Sequence, residues 1–183
     1  MANIDYNIKV LGEVTFFRGL SPDDLRGLGA TVLHKEFKRD TVLFEHGELG
    51  NSLFIVGSGK VKVISPGGVT FVAGDPRRGP DLMSELTTMG AVFGEMAFVD
   101  QQPRSAGAVV SKGSALLELT RSDFNRVAMA NSRASLILMM GLAGLVSSHL
   151  RQTNAEISFL RNFIAQRFGI AIDTMDPSAG GAH

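Results

Sequence analysis

Short runs of β-branched and alternating apolar residues, separated by turn residues, fill the middle of the chain from Val32 to Thr120. Glycine, proline, aspartate and asparagine interrupt these runs at the intervals expected for strands that are joined by tight turns. Runs of this length that do not alternate with long helices are typical of an antiparallel sandwich or barrel. The runs are VLHKEFK, TVLFEHGE, NSLFIVGSGKVKVIS, MSELTTM, AGAVV and SALLELT. The segment from Pro66 to Pro80 is rich in glycine and proline, which predicts a loop or hairpin tip.

Helical patterns lie on both sides of this β-rich region. The stretch GLSPDDLRGLGATV predicts a short helix in which Ser21 is the N-cap and Pro22 is the first helical residue. After the last strand, Thr120 and Asp123 have a spacing similar to that of a capping box and begin a second short helix. The sequence therefore predicts a mainly β domain with flanking helices.

A long helical pattern begins at about Ser132 and runs to Phe168, where Gly169 ends it. If continuous, this helix would extend roughly 54 Å, which is longer than a domain of this size is wide. Some of it must therefore project, fold back at about Gln152 to Asn154, or pack on another chain. Apolar residues three, four or seven positions apart form a narrow seam typical of a coiled coil, although packing on the β domain is an alternative explanation. The seam residues are Met139, Leu142, Val146, Leu150, Ile157, Leu160, Ile164 and Phe168.

Charge and composition exclude several classes of protein. The chain has 18 lysine and arginine residues and 18 aspartate and glutamate residues. Its net charge is therefore zero, which gives no electrostatic reason to expect binding to nucleic acid or to an anionic membrane. The absence of cysteine excludes disulfides and thiolate metal sites. The N-terminus lacks the order of a signal peptide, and the longest apolar run, about Leu136 to Val146, is shorter than the roughly 18 to 20 residues of a membrane span. We therefore expect a soluble cytoplasmic protein with no membrane partner.

One short segment, FGEMAFVDQQPRSAGAVV at residues 93–110, places an acid, Glu95, and a base, Arg104, among small and apolar residues. Taken alone, such a pair is more often a solvated ion pair that contributes less than about 1 kcal/mol. Its first part, FGEMAFVDQQPRSA at residues 93–106, resembles the phosphate-binding cassette of cyclic nucleotide-binding domains. Further blocks in the same order extend the resemblance over about residues 14–150. FFRGLSPDDLRGLG resembles the opening helix of the family, DTVLFEHGELGNSLFIVGSGKVKV its strand–turn–strand segment, and the final helices its closing pair.

The resemblance implies a fold and a domain organisation. It implies an antiparallel, jelly-roll-like β-roll with an N-terminal helix and a long C-terminal helix. The domain would occupy residues 1–150, with the β-roll at about 32–119 and the closing helices from 121. A helical extension at 151–170 and a flexible tail at 171–183 would follow.

The resemblance also implies roles in binding a cyclic nucleotide. Arg104 would bind the phosphate and Glu95 the ribose, with Ser105 and the backbone amides of Met96 and Ala97 assisting. The chemistry agrees, because a guanidinium pairs with a phosphate through two parallel hydrogen bonds, whereas a carboxylate is repelled by phosphate and suits the 2′-hydroxyl. A short helix that begins near Gly94 to Glu95 would point its backbone N–H groups at the same phosphate. The predicted ligand-binding residues are Phe93, Gly94, Glu95, Met96, Ala97, Arg104, Ser105, Ala106, Ser148 and His149.

Recognition of the base is less defined by the sequence. In the family the closing helix usually supplies residues that touch the purine, and here the polar residues Ser147, Ser148, His149 and Arg151 interrupt an apolar helix. Exposed turns of that helix explain the same cluster equally well. Met96 and Phe98 are expected to form an apolar floor under the ligand, or Phe98 belongs to the ordinary core. We favour cAMP slightly over cGMP, and a cyclic dinucleotide remains an alternative.

Other functions fit the sequence less well. The stretch after Leu150 predicts helix plus tail, so we expect neither a helix-turn-helix module nor DNA binding. Four histidines without an H-x-H pair argue against a metal-dependent enzyme, and no nucleophile elbow or P-loop is present. We expect a stand-alone, non-catalytic sensor of cAMP or cGMP without a metal or other cofactor. Its partner would be a second copy, bound through the C-terminal helix, or a separate effector protein. The alternative is a degenerate domain that binds proteins but no nucleotide.

Overall fold

The computed structural model describes residues 4–64 and 82–168 of the chain. Eight strands in these residues pair antiparallel in two four-stranded sheets, with the orders β1-β8-β3-β6 and β2-β7-β4-β5. This architecture confirms the predicted antiparallel β-roll with flanking helices. The strands are β1 (Leu33–Glu36), β2 (Thr41–Phe44), β3 (Ser52–Ser58), β4 (Val61–Ile64), β5 (Leu82–Leu86), β6 (Val92–Phe93), β7 (Gly107–Val110) and β8 (Ala115–Thr120).

The helices lie before, within and after the strands. Ser21 and Thr120 are the N-caps of the second and fourth helices, and the Ser21 hydroxyl accepts a hydrogen bond from the Asp24 amide at 3.2 Å. Both predicted helix starts are therefore confirmed. The α-helices are α1 (Ile4–Glu13), α2 (Pro22–Thr31), α3 (Glu95–Asp100), α4 (Arg121–Ala130) and α5 (Ser132–Phe168), with a 3-10 helix at Thr15–Gly19.

Strand β3 is buried on both faces, and this divides the core into two clusters. Phe54 and Val56 point into the space between the sheets, where they meet apolar residues of β2, β4, β6, β7 and β8. Leu53 and Ile55 point the other way, into a cluster formed with α1, α2 and the beginning of α5. Because side chains alternate across a strand, a strand covered on both sides is continuously apolar. We call these the inter-sheet cluster and the helix-side cluster.

The chain divides into two compact units, Met1–Ala143 and Gly144–His183. The sequence analysis places this boundary after residue 150 instead. In the first unit, α5 buries Ala134, Leu138 and Leu142 in the helix-side cluster. Of the predicted seam, Leu142 is therefore core, whereas Met139 is 40% exposed.

Helix α5 is one continuous helix, and the proposed fold-back at residues 152–154 is wrong. Its large apolar side chains in the second unit are exposed at Leu150, Ile157, Phe159, Leu160, Phe163, Ile164 and Phe168. The helix stop at Gly169, the tail at 171–183 and the predicted loop from Pro66 to Pro80 all lie outside the described residues.

By length and composition, α5 also satisfies the criteria for a membrane-crossing helix, with 17% of its most apolar window buried. Helices in the cores of soluble proteins satisfy the same criteria, so this is weak support for a membrane segment. The expectation of no membrane partner stays a prediction.

A buried hydrogen bond connects the first two helices and allows a test of the fold. The side-chain amide of Asn7 on α1 donates to the Gly29 carbonyl on α2 at 2.8 Å, and Asn7 is fully buried. Asn7→Ala is expected to lower the free energy of unfolding by about 1 to 3 kcal/mol, because it leaves that carbonyl buried without its donor. Urea unfolding followed by circular dichroism measures the change. The matched variant Asn125→Ala, at an exposed position on α4, should change it by less than about 0.5 kcal/mol. Equal stability of the two variants would contradict this account.

Candidate functional site

Residues 93–106 form a turn, a short helix and a loop between β6 and β7. Gly94 follows β6 with a φ of 71°, in the left-handed region that glycine adopts at little cost, and it is the N-cap of α3. The predicted short helix at this position is therefore confirmed. The returning loop is fixed to the turn after β2, because the Arg104 amide donates to the Glu48 carbonyl at 2.8 Å and the Gly47 amide donates to the Arg104 carbonyl at 2.9 Å.

The Arg104 side chain turns inward and is held by backbone carbonyls. Only 5% of Arg104 is exposed. Its Nη1 donates to the Ser52 carbonyl at 2.8 Å and to the Gly94 carbonyl at 2.7 Å, and Nη2 makes a long contact of 3.4 Å with the Ser52 hydroxyl. The guanidinium carbon lies 4.2 Å from the ring centre of Phe44 and 5.7 Å from that of Phe54. One nitrogen of the guanidinium is thus held by two backbone carbonyls, and the rings of Phe44 and Phe54 pack near its central carbon.

The other edge of the guanidinium is less satisfied. Arg104 Nε is buried and has no hydrogen-bond partner among the described residues. A buried polar group without a partner is unfavourable and usually has a functional or solvent explanation. Nε, together with the weakly bonded Nη2, forms the edge with which arginine binds an anionic group through two parallel hydrogen bonds.

Two glycines make the space for this side chain. A Cβ added to Gly50 would overlap the guanidinium, 2.5 Å from its central carbon. A Cβ at Gly94 would lie 2.8 Å from Nη1. Both distances are too short for real contacts, so glycine at these positions allows the backbone to approach the charged group closely.

The charge of Arg104 is balanced by nearby carboxylates. Burial lowers the pKa of Arg104 below its ordinary value, while the carboxylates of Glu118, Glu48 and Glu95 act in the opposite direction. The ordinary pKa of arginine is so high that the group remains a cation at neutral pH. Glu95 is itself buried, with 4% of its surface exposed, at the first position of α3. The predicted acid and base are therefore both inside the protein, and not in a solvated surface pair.

The remaining predicted contacts in this segment have different environments. Ser105 is exposed, and its hydroxyl donates to the Met96 sulfur at 3.3 Å. Met96 is 41% exposed, whereas Ala97 is buried. Phe93 packs in the inter-sheet cluster, with its ring 5.5 Å from that of Phe54, and Ala106 is partly buried.

Phe98 belongs to the core and is not part of a ligand floor. It is 2% exposed, lies in the helix-side cluster, and contacts Phe124 edge to face at 5.8 Å between ring centres. Because successive positions of α3 point to different sides, Met96 faces solvent while Phe98 faces the helices. Of the two alternatives given for Phe98, an apolar floor under the ligand or the ordinary core, the structure shows the core.

Ser148 and His149 are exposed on α5 in the second compact unit. Their predicted contact with the base stays a prediction.

Sequence reasoning missed three residues that position Arg104, namely Phe44, Gly50 and Ser52. The only signal for them is the block TVLFEHGELGNSLF, which marks a strand, a tight turn and another strand without indicating which atoms meet the arginine. Within residues 4–64 and 82–168, no group of three or more His, Cys, Asp or Glu residues is arranged to hold a metal ion.

Comparison with known proteins identifies the family. The family model of the cyclic nucleotide-binding domain matches residues 34–131. The chain is 30% identical over 144 residues to the cyclic AMP receptor protein of Thermus thermophilus, covering 79% of this chain and 61% of that protein. It is 31% identical over 150 residues to glutaminase 1 of Bradyrhizobium diazoefficiens, covering 82% of this chain and 22% of that protein.

A solved structure supports the same conclusion about the fold. The cyclic nucleotide-binding domain from Methylobacillus flagellatus matches with a TM-score of 0.67 and 22% identity, covering 84% of this chain and 82% of that one. The chain spans less than two thirds of the length of both relatives matched by sequence. Since the family model covers more than half of the sequence, the chain belongs to the cyclic nucleotide-binding domain family.

Proposed function

We propose that the protein is a cytoplasmic regulatory sensor that binds a cyclic nucleotide, preferentially cAMP, through residues 93–106. The observation that carries the proposal is the buried Arg104 guanidinium, which is fixed on one side and has an unsatisfied edge on the other. The name of the Thermus thermophilus relative, a cyclic AMP receptor protein, favours cAMP over cGMP. The ligand would be regulatory, with no metal or other cofactor.

The phosphate of the nucleotide would pair with Nε and Nη2 of Arg104. A singly charged phosphodiester that leaves water needs a cation and hydrogen-bond donors, and the guanidinium supplies both in one plane. Nη1 already donates to two carbonyls, so the side chain would not have to be ordered by the ligand. A group that is ordered in advance lowers the entropic cost of binding.

Glu95 would accept a hydrogen bond from the ribose 2′-hydroxyl. It is buried at the start of α3, and its carboxylate favours the charged form of Arg104. A carboxylate next to a phosphate would be repelled, so the sugar is the part of the ligand that suits it. The amides of Met96 and Ala97, in the first turn of α3, and the Ser105 hydroxyl would donate further hydrogen bonds.

A regulatory function agrees with the comparisons better than a catalytic one. The family model that matches residues 34–131 describes a domain that binds a ligand. The match to the glutaminase leaves most of that enzyme uncovered, so it supports no shared catalysis.

The bound state would be transmitted by the helices after the β-roll. Nucleotide binding would draw residues 93–106 inward and move the closing helix over the base, which changes how that helix packs on another chain. The exposed apolar side chains of α5 at Leu150, Ile157, Leu160 and Ile164 are the surface for that contact. Their coiled-coil spacing favours a second copy of the chain over a separate effector protein.

The first test measures cyclic nucleotide binding and the role of Arg104. Titration calorimetry with cAMP, cGMP and a cyclic dinucleotide should show binding of cAMP. Arg104→Ala should weaken that binding by at least about 2 to 3 kcal/mol, roughly 30-fold or more, because the phosphate loses its charged partner. The matched variant Arg26→Ala removes an exposed arginine of α2 and should bind normally. No binding of any cyclic nucleotide by the unaltered protein would defeat the proposal and favour a protein-interaction module.

The second test concerns the glycine beside the arginine. Gly50→Ala should weaken cAMP binding by about tenfold or more, because the added methyl group displaces the guanidinium from its position. Gly12→Ala is the matched control, since a Cβ there meets no described atom within 4 Å. Thermal unfolding of both variants confirms that they are folded at the temperature of the calorimetry. The same affinity in both variants would show that Arg104 need not be held in this position.

The third test concerns the oligomeric state. Light scattering after size-exclusion chromatography should give the mass of a dimer for the unaltered protein and of a monomer for Leu160→Glu, because a carboxylate in an apolar seam is costly to bury. Asn162→Glu introduces the same charge two residues away, on roughly the opposite side of the helix, and should remain dimeric. A monomeric unaltered protein would instead favour a separate effector as the partner.

A further inference from the structure

Arg121, the first residue of α4, connects that helix to the end of α3. Its Nη2 donates to the Val99 carbonyl at 2.9 Å and also to the Phe98 carbonyl. Its backbone amide donates to the Asn51 carbonyl at 2.7 Å, which fixes the start of α4 to the beginning of the β3 region. The side chain therefore connects the helix of the proposed nucleotide site to the first of the two helices that follow the β-roll.

Helix α3 depends on contacts of this kind for its stability. It contains six residues, and helices this short have little stability of their own in water. The last carbonyls of a helix have no partner within it, and a cation near them is favourable. Gln101, which follows α3, adopts a φ of 60° and caps the Ala97 carbonyl, while Arg121 satisfies the next two carbonyls.

A second contact acts between the same two helices. The guanidinium carbon of Arg121 lies 5.6 Å from the ring centre of Phe98, and that ring contacts Phe124, one turn further along α4. Arg121 Nε is buried and has no hydrogen-bond partner in the described part of the chain. The arginine is thus held between α3 and α4 by its carbonyl contacts and by the aromatic ring, with one donor left unsatisfied.

We infer that Arg121 is a positioning residue that holds α3 in the geometry that binds the nucleotide and transmits the displacement of α3 to α4. The inference rests on the proposed function, since it concerns regulation of the same site. Arg121 acts through the position of Glu95 and the first turn of α3, and it does not contact the ligand. Loss of its side chain would release the end of α3, while the contact between the rings of Phe98 and Phe124 would remain.

The chain contains no cysteine, so pairs of introduced cysteines can be spin-labelled selectively. Met129→Cys on α4 and Val42→Cys on β2 are suitable, because both positions are exposed. Pulsed electron spin resonance measures the distance between the labels without and with saturating cAMP, and titration calorimetry measures the affinity. In the otherwise unaltered protein we expect cAMP to change the distance.

The variant Arg121→Gln should bind cAMP about tenfold more weakly, as expected for loss of charge-assisted hydrogen bonds to two carbonyls. At saturating cAMP, its label distance should remain that of the nucleotide-free protein. Arg121→Lys, which retains a cation near the carbonyls, should restore part of both the affinity and the distance change. If Arg121→Gln does not fold, the cAMP affinity and the label distance of Arg121→Lys test the role of Arg121 instead. The matched control is Arg126→Gln on the same helix, where the arginine is exposed and paired with Asp123.

The outcomes separate this inference from the proposed function. No binding of any cyclic nucleotide by the unaltered protein overturns both. Normal binding with no distance change overturns the coupling to α4. A full distance change in Arg121→Gln at saturating cAMP, or an affinity equal to that of Arg126→Gln, overturns the role of Arg121 and leaves the nucleotide site intact. A purely structural role would lower the melting temperature without abolishing the distance change at saturation.

Discussion

The site depends on keeping the charge of Arg104 inside an apolar double sheet. A buried cation without compensation would be strongly destabilising, and here the compensation comes from different parts of the fold. One carbonyl belongs to Ser52 of β3, another to Gly94 after β6, and the ring of Phe44 belongs to β2 in the other sheet. Since no single segment supplies these partners, the arginine has its favourable environment only when both sheets are assembled.

This arrangement also explains the small residues around the charge. Carbonyl oxygens can replace water around a guanidinium only if the backbone approaches closely, and a Cβ at Gly50 or Gly94 would prevent that approach. Backbone carbonyls hold one nitrogen, and the rings of Phe44 and Phe54 pack near the central carbon of the guanidinium. The edge with Nε has no such partner among the described residues. This is the edge through which an arginine forms its strongest interaction, a pair of parallel hydrogen bonds to an anionic group.

Sequence reasoning predicted those features that local chemistry determines. The Ser21 and Thr120 caps, the β-roll and the helix after Gly94 each have a signal within a few residues. Helix α1 was missed because its sequence, IDYNIKVLGE, mixes β-branched residues with a glycine, and it depends on the buried Asn7 and its contacts with α2. Strand β6 has two residues, too few for any period. The partners of Arg104 lie far away in sequence, so no local pattern identifies them.

The two-sided burial of β3 has a consequence for how a ligand could affect the helices. Phe54 contacts the rings beneath Arg104, while its neighbours Leu53 and Ile55 pack in the helix-side cluster. That cluster also contains Phe98 of α3 and Leu138 of α5. Because packed interiors leave little empty space, a shift of α3 large enough to move Phe98 must repack residues that hold the first turns of α5. Strand β3 is therefore the element that the two clusters share, with Phe54 and Val56 in one and Leu53 and Ile55 in the other.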